Sequence, residues 1–419
     1  MPLVKKTCDV LILGGGAIGL ACARYLLRAG RGVTVLDRNA VGSGASHGNC
    51  GTITPSLLPL PAPGTIGRAL KWLFKPDAPL RIKPTLDPAL LRWLLAFASN
   101  CNERDYRRAA LIKGELLKAS RAWLAELIRE DRLDCEFVES GHLTVYRDPR
   151  AFERGEREVP LWRELGLAVE TLNGAQARAK EAALNDSVVG AHFHPGDARL
   201  RPERYVAELA RVVRAGGGAI HEGTEVRGFR CENGRIAAVA TSSGDYAAKE
   251  IVLALGAWSP KLARSLDLHL PIQPGKGYSI TYTDGAGAPR LPLVLKERSV
   301  CVTSWSSGLR LGSTMEFAGY DDSLNRVRLS ALTRAAAEYL RVPVTGRVEE
   351  QWCGWRPMTP DDLPILGRAP RWSNLTLACG HGMLGMSLSA ATGRLVGELL
   401  TGKPGSLDWT PYGIERFVR

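Results

Sequence analysis

Apolar residues in this chain fall into short blocks whose spacing switches between strand-like and helix-like periods. Val10-Leu11-Ile12-Leu13 is an unbroken apolar run, the pattern of a strand buried on both faces. Ala21, Cys22, Ala23, Leu26 and Leu27 then continue as a helix that stops at Gly30. Val33-Thr34-Val35-Leu36 predicts a second strand, closed by Asp37. Over 104–130, Leu111, Leu116, Trp123, Leu124, Leu127 and Ile128 recur at near-helical spacing and predict a long amphipathic helix made of core material. A strand is expected at 141–146, and a helix over 200–213 with Pro202 in its first turn. Glycines at 216–218 end that helix, and a new strand starts from 223. The stretch 234–239 reads as one arm of a hairpin. Its other arm runs through Ile251, Val252 and Leu253 to Ala254 and Gly256, and should return to the first sheet. Between 271 and 350 alternation dominates, at Tyr278, Ile280 and Tyr282, at Val300 and Val302, and at Leu309 and Leu311, predicting a largely antiparallel sheet of a second domain. Residues 324–341 read as helical, and 350–402 return to glycine-rich turns and a helix.

The turn between the first strand and helix carries the most specific signal. Gly14, Gly16 and Gly19 fill a G-x-G-x-x-G spacing, and each has a separate task. Gly14 permits the tight turn, Gly16 lets backbone approach a pyrophosphate, and Gly19 lets the helix pack against the sheet. The N–H groups that open the helix are free to meet phosphates. Asp37, 18 residues after Gly19, stands where a ribose-binding carboxylate belongs. The loop that follows, 41–52, is rich in glycine and hydroxyl side chains. It can run beside a large planar ligand while offering N–H and O–H donors.

A length of 419 residues favours two domains or one domain with a large insertion. With no apolar run of about 18 residues, no transmembrane helix is predicted. Residues 1–6 lead directly into the first strand, which a signal peptide would have to consume, so a cytoplasmic protein is expected. The 9 cysteines form no C-x-x-C pair, which argues against a disulfide framework and a thiolate zinc site and for free thiols in a reducing compartment. The net charge of +12 is spread along the chain without a basic block or a nucleic-acid recognition motif, so no nucleic-acid partner is expected. Such a field suits a diphosphate cofactor, a carboxylate substrate or an anionic membrane surface. The proline-rich stretch 55–90 encloses an apolar segment at 66–75 interleaved with Arg68, Lys71 and Lys75, which reads either as a buried helix or as a shallow membrane-contacting one. His192, His194 and Asp197 have the residue types of metal ligands, but imidazoles on one strand face near a turn are usually structural, and no metal site is expected.

Later motifs carry a family resemblance. These are Pro274-Gly-Lys276-Gly277-Tyr278-Ser279, Arg310-Leu-Gly312-Ser-Thr-Met315-Glu316, Trp352-Cys-Gly354-Trp-Arg356-Pro357-Met358-Thr359-Pro360-Asp361 and Gly380-His381-Gly382-Met383-Leu384-Gly385. With the glycine turn, they make the chain resemble the flavin-dependent D-amino acid oxidase superfamily over nearly its whole length. Within it the chain is most similar to the bacterial D-amino acid dehydrogenases, with the hydroxyproline-type enzymes close by. Asp37 departs from the glutamate more usual in this group, and either carboxylate can hold ribose hydroxyls.

The resemblance implies an α/β fold: a Rossmann-like FAD-binding domain from 1–60, 196–265 and 350–419, and an α+β substrate domain with a mostly antiparallel sheet from 61–195 and 266–349. It implies FAD held by Gly14, Gly16, Ile18, Gly19, Asp37 and Arg38. Ser46, Asn49 and Gly51 would form the flavin loop, Val226 the adenine side, and Ala254 and Gly256 the ribose and phosphate region. Gly380, Gly382, Met383, Leu384 and Gly385 precede a helix whose N-terminus would face the flavin pyrimidine edge. Arg356 can clamp a substrate carboxylate through parallel hydrogen bonds, or form a structural salt bridge with Asp361 or Asp362; the residues alone leave both open, and the resemblance selects the clamp. Tyr278 can donate its hydroxyl to the same carboxylate, although a tyrosine in an alternating strand is more often a packing residue. His47 is placed as a flavin neighbour and His381 as a packing residue, because hydride leaves the neutral amino acid directly for the flavin and no base on Cα is required.

The implied reaction is FAD-dependent oxidation of the Cα–N bond of D-amino acids to an imine, then 2-oxo acid and ammonium, with electrons passing to a quinone or other non-oxygen acceptor. Alternatives are a dehydrogenase of cyclic D-amino acids such as D-proline or cis-4-hydroxy-D-proline, an oxygen-using glycine or sarcosine-type oxidase, and a flavin-bearing subunit of a larger dehydrogenase. Peripheral contact with the inner membrane face and association with other dehydrogenase subunits are compatible with this reading.

Overall fold

The computed structural model describes residues 6–72, 75, 77–283 and 287–417. Residues 1–5, expected to lead into the first strand, and 73, 74 and 76 of the proline-rich stretch lie outside the described residues.

Two sheets divide the work. In the first, of eight strands, Lys6–Leu13 lies between Val33–Leu36 and Gly244–Leu253, and all three run parallel. Ala219–His221 extends the sheet on one side and Leu375–Cys379 on the other, again parallel. Leu11, Ile12 and Leu13 are completely buried, which is why this strand reads as a continuous apolar run instead of an alternating one. Val226–Glu232 and Arg235–Thr241 add an antiparallel meander beside Gly244–Leu253, so the expected hairpin returns to the first sheet. The helix Ala17–Arg28 covers one face, and the helix Gly385–Leu400 packs on it closely enough that a Cβ at Gly393 would sit 2.7 Å from the backbone of Ala21.

The second sheet has nine strands and is mostly antiparallel. Its edge strand Val348–Met358 pairs with Gln273–Tyr282, placing Arg356 opposite Gly275 and Gly354 opposite Gly277. Gly308–Phe317, Val300–Trp305 and Leu293–Leu295 follow, and His142–Tyr146 and Gly190–His194 lie beyond. The chain is thus α/β in its first sheet and α+β in its second.

Two segments lie elsewhere than the expected boundaries place them. Val348–Met358 belongs to the second sheet, because its register is set by Gln273–Tyr282, so a boundary at 349/350 cuts through a strand. The helix Glu103–Asp131, expected with the substrate domain, packs on the first. Its Leu124, Leu127 and Ile128 join the core around Val10 and Leu20, and Ser120 Oγ accepts the Ala391 N–H of the C-terminal helix at 3.1 Å. The helix Thr65–Trp72 buries none of its residues, which removes the buried-helix reading of this stretch. Among the described residues no helix is long and apolar enough to cross a membrane.

Candidate active site

A cavity of about 1520 Å³ lies between the two sheets and takes walls from both. At the first sheet, Gly14 has φ +109°, and a Cβ there would stand 2.4 Å from the Ala254 carbonyl oxygen. A Cβ on Gly19 would stand 1.9 Å from the Gly14 oxygen, so the strand, turn and helix close on each other only with glycine at both positions. Leu20 is the first residue whose N–H closes a helical bond, to Gly16, which leaves the amides of Ile18 and Gly19 without an intrahelical acceptor. Ser46 Oγ accepts the Ala17 N–H at 3.1 Å, fixing the start of the loop against the helix.

Asp37 is held by two backbone donors, Gly15 N at 2.8 Å and Asn39 N at 2.9 Å, and burial raises its carboxyl above the ordinary range. Each oxygen keeps acceptor capacity for a ribose hydroxyl. Arg38 lies with its guanidinium 4.1 Å from the centre of the Trp258 ring, and Ile18, Val226, Ala254 and Gly256 line the same end. A glycine cradle, free helix amides and an oriented carboxylate fit a dinucleotide such as FAD.

At the other end, Gly382, Met383, Leu384 and Gly385 line the cavity where the helix Gly385–Leu400 begins. Its N-cap, Leu384, makes no side-chain capping bond, so the positive end of the helix is left uncapped toward the cavity. His381 also lines the cavity, donates or accepts one bond with Thr392 at 2.9 Å, and is pushed down to about 3 by burial, so it is neutral. Asn49 lines the cavity, its Oδ1 accepting from Gly51 N at 2.7 Å. Gly19, Gly51 and Gly380 serve packing and do not line the cavity. At Gly51 φ is +69° and a Cβ would meet the Leu200 oxygen at 2.0 Å, and at Gly380 φ is +73°.

Arg356 lines the cavity with its charge unopposed. Its Nη1 donates to the Thr314 carbonyl at 2.7 Å, and burial lowers its pKa. Among the described residues no carboxylate forms an ion pair with it. Asp361 is taken by Arg416 at 2.7 Å and Asp362 by Lys113, so neither provides the structural salt bridge. Two features aim the guanidinium. A Cβ at Gly277 would overlap Arg356 Nη1 at 2.3 Å, so this glycine makes the space. A bulge in Gly308–Phe317 puts Ser313 at φ +118° and Thr314 at φ +58°, turning the Thr314 carbonyl onto Nη1.

Two expected site residues are bonded to carboxylates of the protein. Tyr278 lines the cavity, but its one O–H is donated to Glu316 at 2.5 Å, so it is no free donor to a substrate. Burial, with the same bond, pushes its phenol up. His47 turns outward, with Nε2 at 2.9 Å from Glu350, and is not among the residues lining the cavity.

Other residues at the site carry no sequence signal. Trp352 is seated between Gly48 and Gly354, where a Cβ would lie 2.0 and 2.2 Å from its ring, and Cys50 and Cys301 both line the cavity. Only the glycines opposite them could have pointed to such close approaches. His142, His192 and His194 are buried and pushed down to about 4, 4 and 3, and Asp197, bonded to Ser56, is raised to about 7 by burial. Among the described residues no group of three or more such side chains is placed to hold a metal ion.

The sequence model described as FAD dependent oxidoreductase matches residues 9–399. Over 418 residues the chain is 34% identical to a D-amino acid dehydrogenase of Granulibacter bethesdensis, covering 98% of this chain and 99% of that protein. It is 36% identical to a D-amino acid dehydrogenase of Methylobacterium nodulans, with 94% and 95% covered. Among solved structures, a glycine oxidase from Geobacillus kaustophilus superposes with a TM-score of 0.78 at 25% identity, covering 98% and 99%. An L-proline dehydrogenase from P. horikoshii shares the fold at a TM-score of 0.76 and 20% identity, covering 99% of each chain.

Proposed function

The chain belongs to the FAD dependent oxidoreductase family, and from that premise we propose that it is a D-amino acid dehydrogenase that oxidises the Cα–N bond of its substrate and passes electrons to a quinone or another non-oxygen acceptor. The carrying observation is the unopposed guanidinium of Arg356 in the cavity. FAD, when bound, supplies the acceptor for hydride from Cα. Arg356 binds the substrate carboxylate through paired hydrogen bonds and fixes which way Cα–H points. Met315, Met358 and Met383 line the same cavity, and this apolar surface suits an aliphatic or aromatic substrate side chain better than a charged one. The amine must be neutral to give up hydride at Cα. His47 is bonded to Glu350 outside the cavity, and His381, on the cavity wall, is pushed down to about 3 by burial and is too weak a base to take the proton, so solvent takes it.

The quinone reading draws support from the surface around the cavity. Ile66 and Leu70 on Thr65–Trp72, and Leu91 and Leu95 on Pro88–Ser99, are exposed large apolar side chains, and Arg68, Lys71 and Arg92 are exposed on the same two helices. Ile66, Arg68, Leu70 and Lys71 also line the cavity, as do Trp93 and Phe97 of the second helix. This combination fits a shallow, peripheral contact with an anionic membrane from which a lipid-soluble acceptor reaches the site.

The test is turnover of the purified holoenzyme on a panel of D- and L-amino acids, D-proline and hydroxyprolines included, with a dye acceptor and with oxygen. Dye reduction confined to D-amino acids supports the proposal. Peroxide release at a comparable rate makes the chain an oxidase, and turnover of L-substrates alone overturns the assignment. Sedimentation with phosphatidylglycerol vesicles that survives a Leu91→Glu, Leu95→Glu double change would remove the membrane face.

A further inference from the structure

Cys50 and Cys301 take no part in that reading, yet the fold brings their sulfurs together on the cavity wall near Arg356. Cys301 lies on Val300–Trp305 directly opposite Gly312. Opposed residues of an antiparallel pair project to the same side, with Cβ atoms about 5 Å apart. A Cβ on Gly312 would stand 2.5 Å from the Cys50 sulfur, so that sulfur occupies the notch beside Cys301 left by the missing side chain. The loop carrying Cys50 is tied over this notch by Arg310, whose Nη1 donates to the His47 and Asn49 carbonyls at 3.0 and 2.8 Å. Both cysteines line the cavity and are unbridged, which leaves them open to a small reagent. Hydrogen bonding from Cys301, with the charges of Arg310 and Arg356, draws Cys50 below the ordinary thiol value in spite of burial. Cys301 is pushed well above it by the Cys50 sulfur and by burial. Arg310, bonded to the carbonyl of Asn49 next to Cys50, sets its charge on the Cys50 side of the pair, which makes Cys50 the attacking sulfur.

We propose that Cys50 and Cys301 are a redox modification site, closing reversibly to a disulfide that lowers turnover by drawing the 46–52 loop off its position. The effect on turnover rests on the dehydrogenase reading; the bond itself does not. The oxidant is a small-molecule disulfide. The Cys50 thiolate attacks one of its sulfurs and expels a thiolate. Cys301 then gives its proton to solvent, attacks the Cys50 sulfur of the mixed disulfide and expels the second thiolate. The protein loses two electrons and two protons, and the reagent is reduced to two thiols. Closure shortens the sulfur separation from non-bonded contact to about 2.05 Å. The contraction falls on the loop that carries Ser46 and Asn49 beside the glycine cradle.

The experiment oxidises the holoenzyme with oxidised glutathione in a Cys231→Ser background, which removes the exposed thiol, then maps peptides by mass spectrometry and measures kcat/KM. The expected result is a Cys50–Cys301 cross-linked peptide and a loss of roughly tenfold or more in kcat/KM, the scale of an ångström-sized displacement at a reacting centre. Dithiothreitol should reverse both. Cys50→Ser and Cys301→Ser should each abolish the cross-link and the oxidant-dependent loss, whatever their starting activity. No such peptide at full oxidation overturns the proposal, as does a cross-link that leaves kcat/KM unchanged. Should the reduced protein oxidise no D-amino acid, the dehydrogenase reading fails separately. The cross-link and the change it makes in flavin absorption then decide the proposal.

Discussion

Replacing Arg356 by alanine tests the site most directly. In the folded protein this guanidinium spends one N–H on the Thr314 carbonyl and has no acidic partner among the described residues, so its remaining donors are available to a carboxylate. A pair of charge-assisted hydrogen bonds contributes about 1.5–3 kcal/mol each, and the two are not additive, so the loss is about 2–4 kcal/mol. At about 1.4 kcal/mol per decade, KM for a D-amino acid should rise roughly 30- to 700-fold. Arg356→Lys keeps the charge but not the parallel pair and should fall between wild type and alanine. Gly277→Ala gives an independent route to the same end. Its Cβ would overlap Arg356 Nη1 at 2.3 Å, and the clash falls on the mobile tip of a side chain. It should therefore raise KM while leaving the melting temperature nearly unchanged. The assay is steady-state dye reduction at matched flavin content, with thermal unfolding run alongside. An unchanged KM in Arg356→Ala that still binds FAD would remove the clamp. A Gly277→Ala protein that is destabilised with its KM intact would show that the guanidinium is structural.

Three further outcomes follow from the packing. Lys113 and Asp362 form a buried ion pair, so Lys113→Met alone should destabilise the fold by about 3–5 kcal/mol, read by urea titration, with KM of the residual folded enzyme unchanged. Gly19→Ala places a Cβ 1.9 Å from the Gly14 backbone oxygen, which cannot yield as a side chain does, so this variant should purify depleted of flavin by the ratio of visible to ultraviolet absorbance. Acid should weaken the fold between pH 6.5 and about 4. In that window His142, His192, His194 and His381, pushed down to about 4, 4, 3 and 3, are neutral when folded and charged when unfolded, so unfolding takes up protons and stability rises with pH. Asp197, raised to about 7, acts in the opposite sense, protonated when folded and ionised when unfolded, but it is one group against four. Urea midpoints that do not fall on acidification would refute this, and Asp197→Asn should add stability at pH 8 that is gone by pH 4.

What could be read from the chain alone was the chemistry that is contiguous in it. The strand, glycine turn, helix and Asp37 form one local unit, and the clearances at Gly14 and Gly19 are set by atoms that the same motif brings together. Alternation over 271–350 likewise announced the second sheet, although Gln273–Tyr282 is buried on both faces, because successive side chains still point to opposite sides of a strand and differ in type there. Orientation did not read out, because it depends on partners distant in sequence. His47 is turned outward by Glu350, and Tyr278 spends its proton on Glu316, and no local pattern distinguishes either from a residue facing a ligand. Membership of the strand Val348–Met358 in the second sheet was hidden for the same reason, its register being chosen by Gln273–Tyr282.

Arg356 could be narrowed to two roles because its acidic neighbours in sequence are few, and what separates the roles is a fact about those neighbours. Asp361 and Asp362 are consumed by Arg416 and Lys113, a residue of the helix Glu103–Asp131. That helix packs on the first sheet's core and not on the second. The packing that misplaced the helix in the expected domain division is therefore also what gives Asp362 its cation. Lys113→Met tests this link, because Asp362 then loses its cation. If Asp362 could reach Arg356, KM would rise in this variant as the clamp was captured. A KM that stays at the wild-type value shows that the acid is held out of reach by the backbone at Leu60, whose N–H it accepts at 3.2 Å, and that the clamp owes its freedom to geometry as well as to charge.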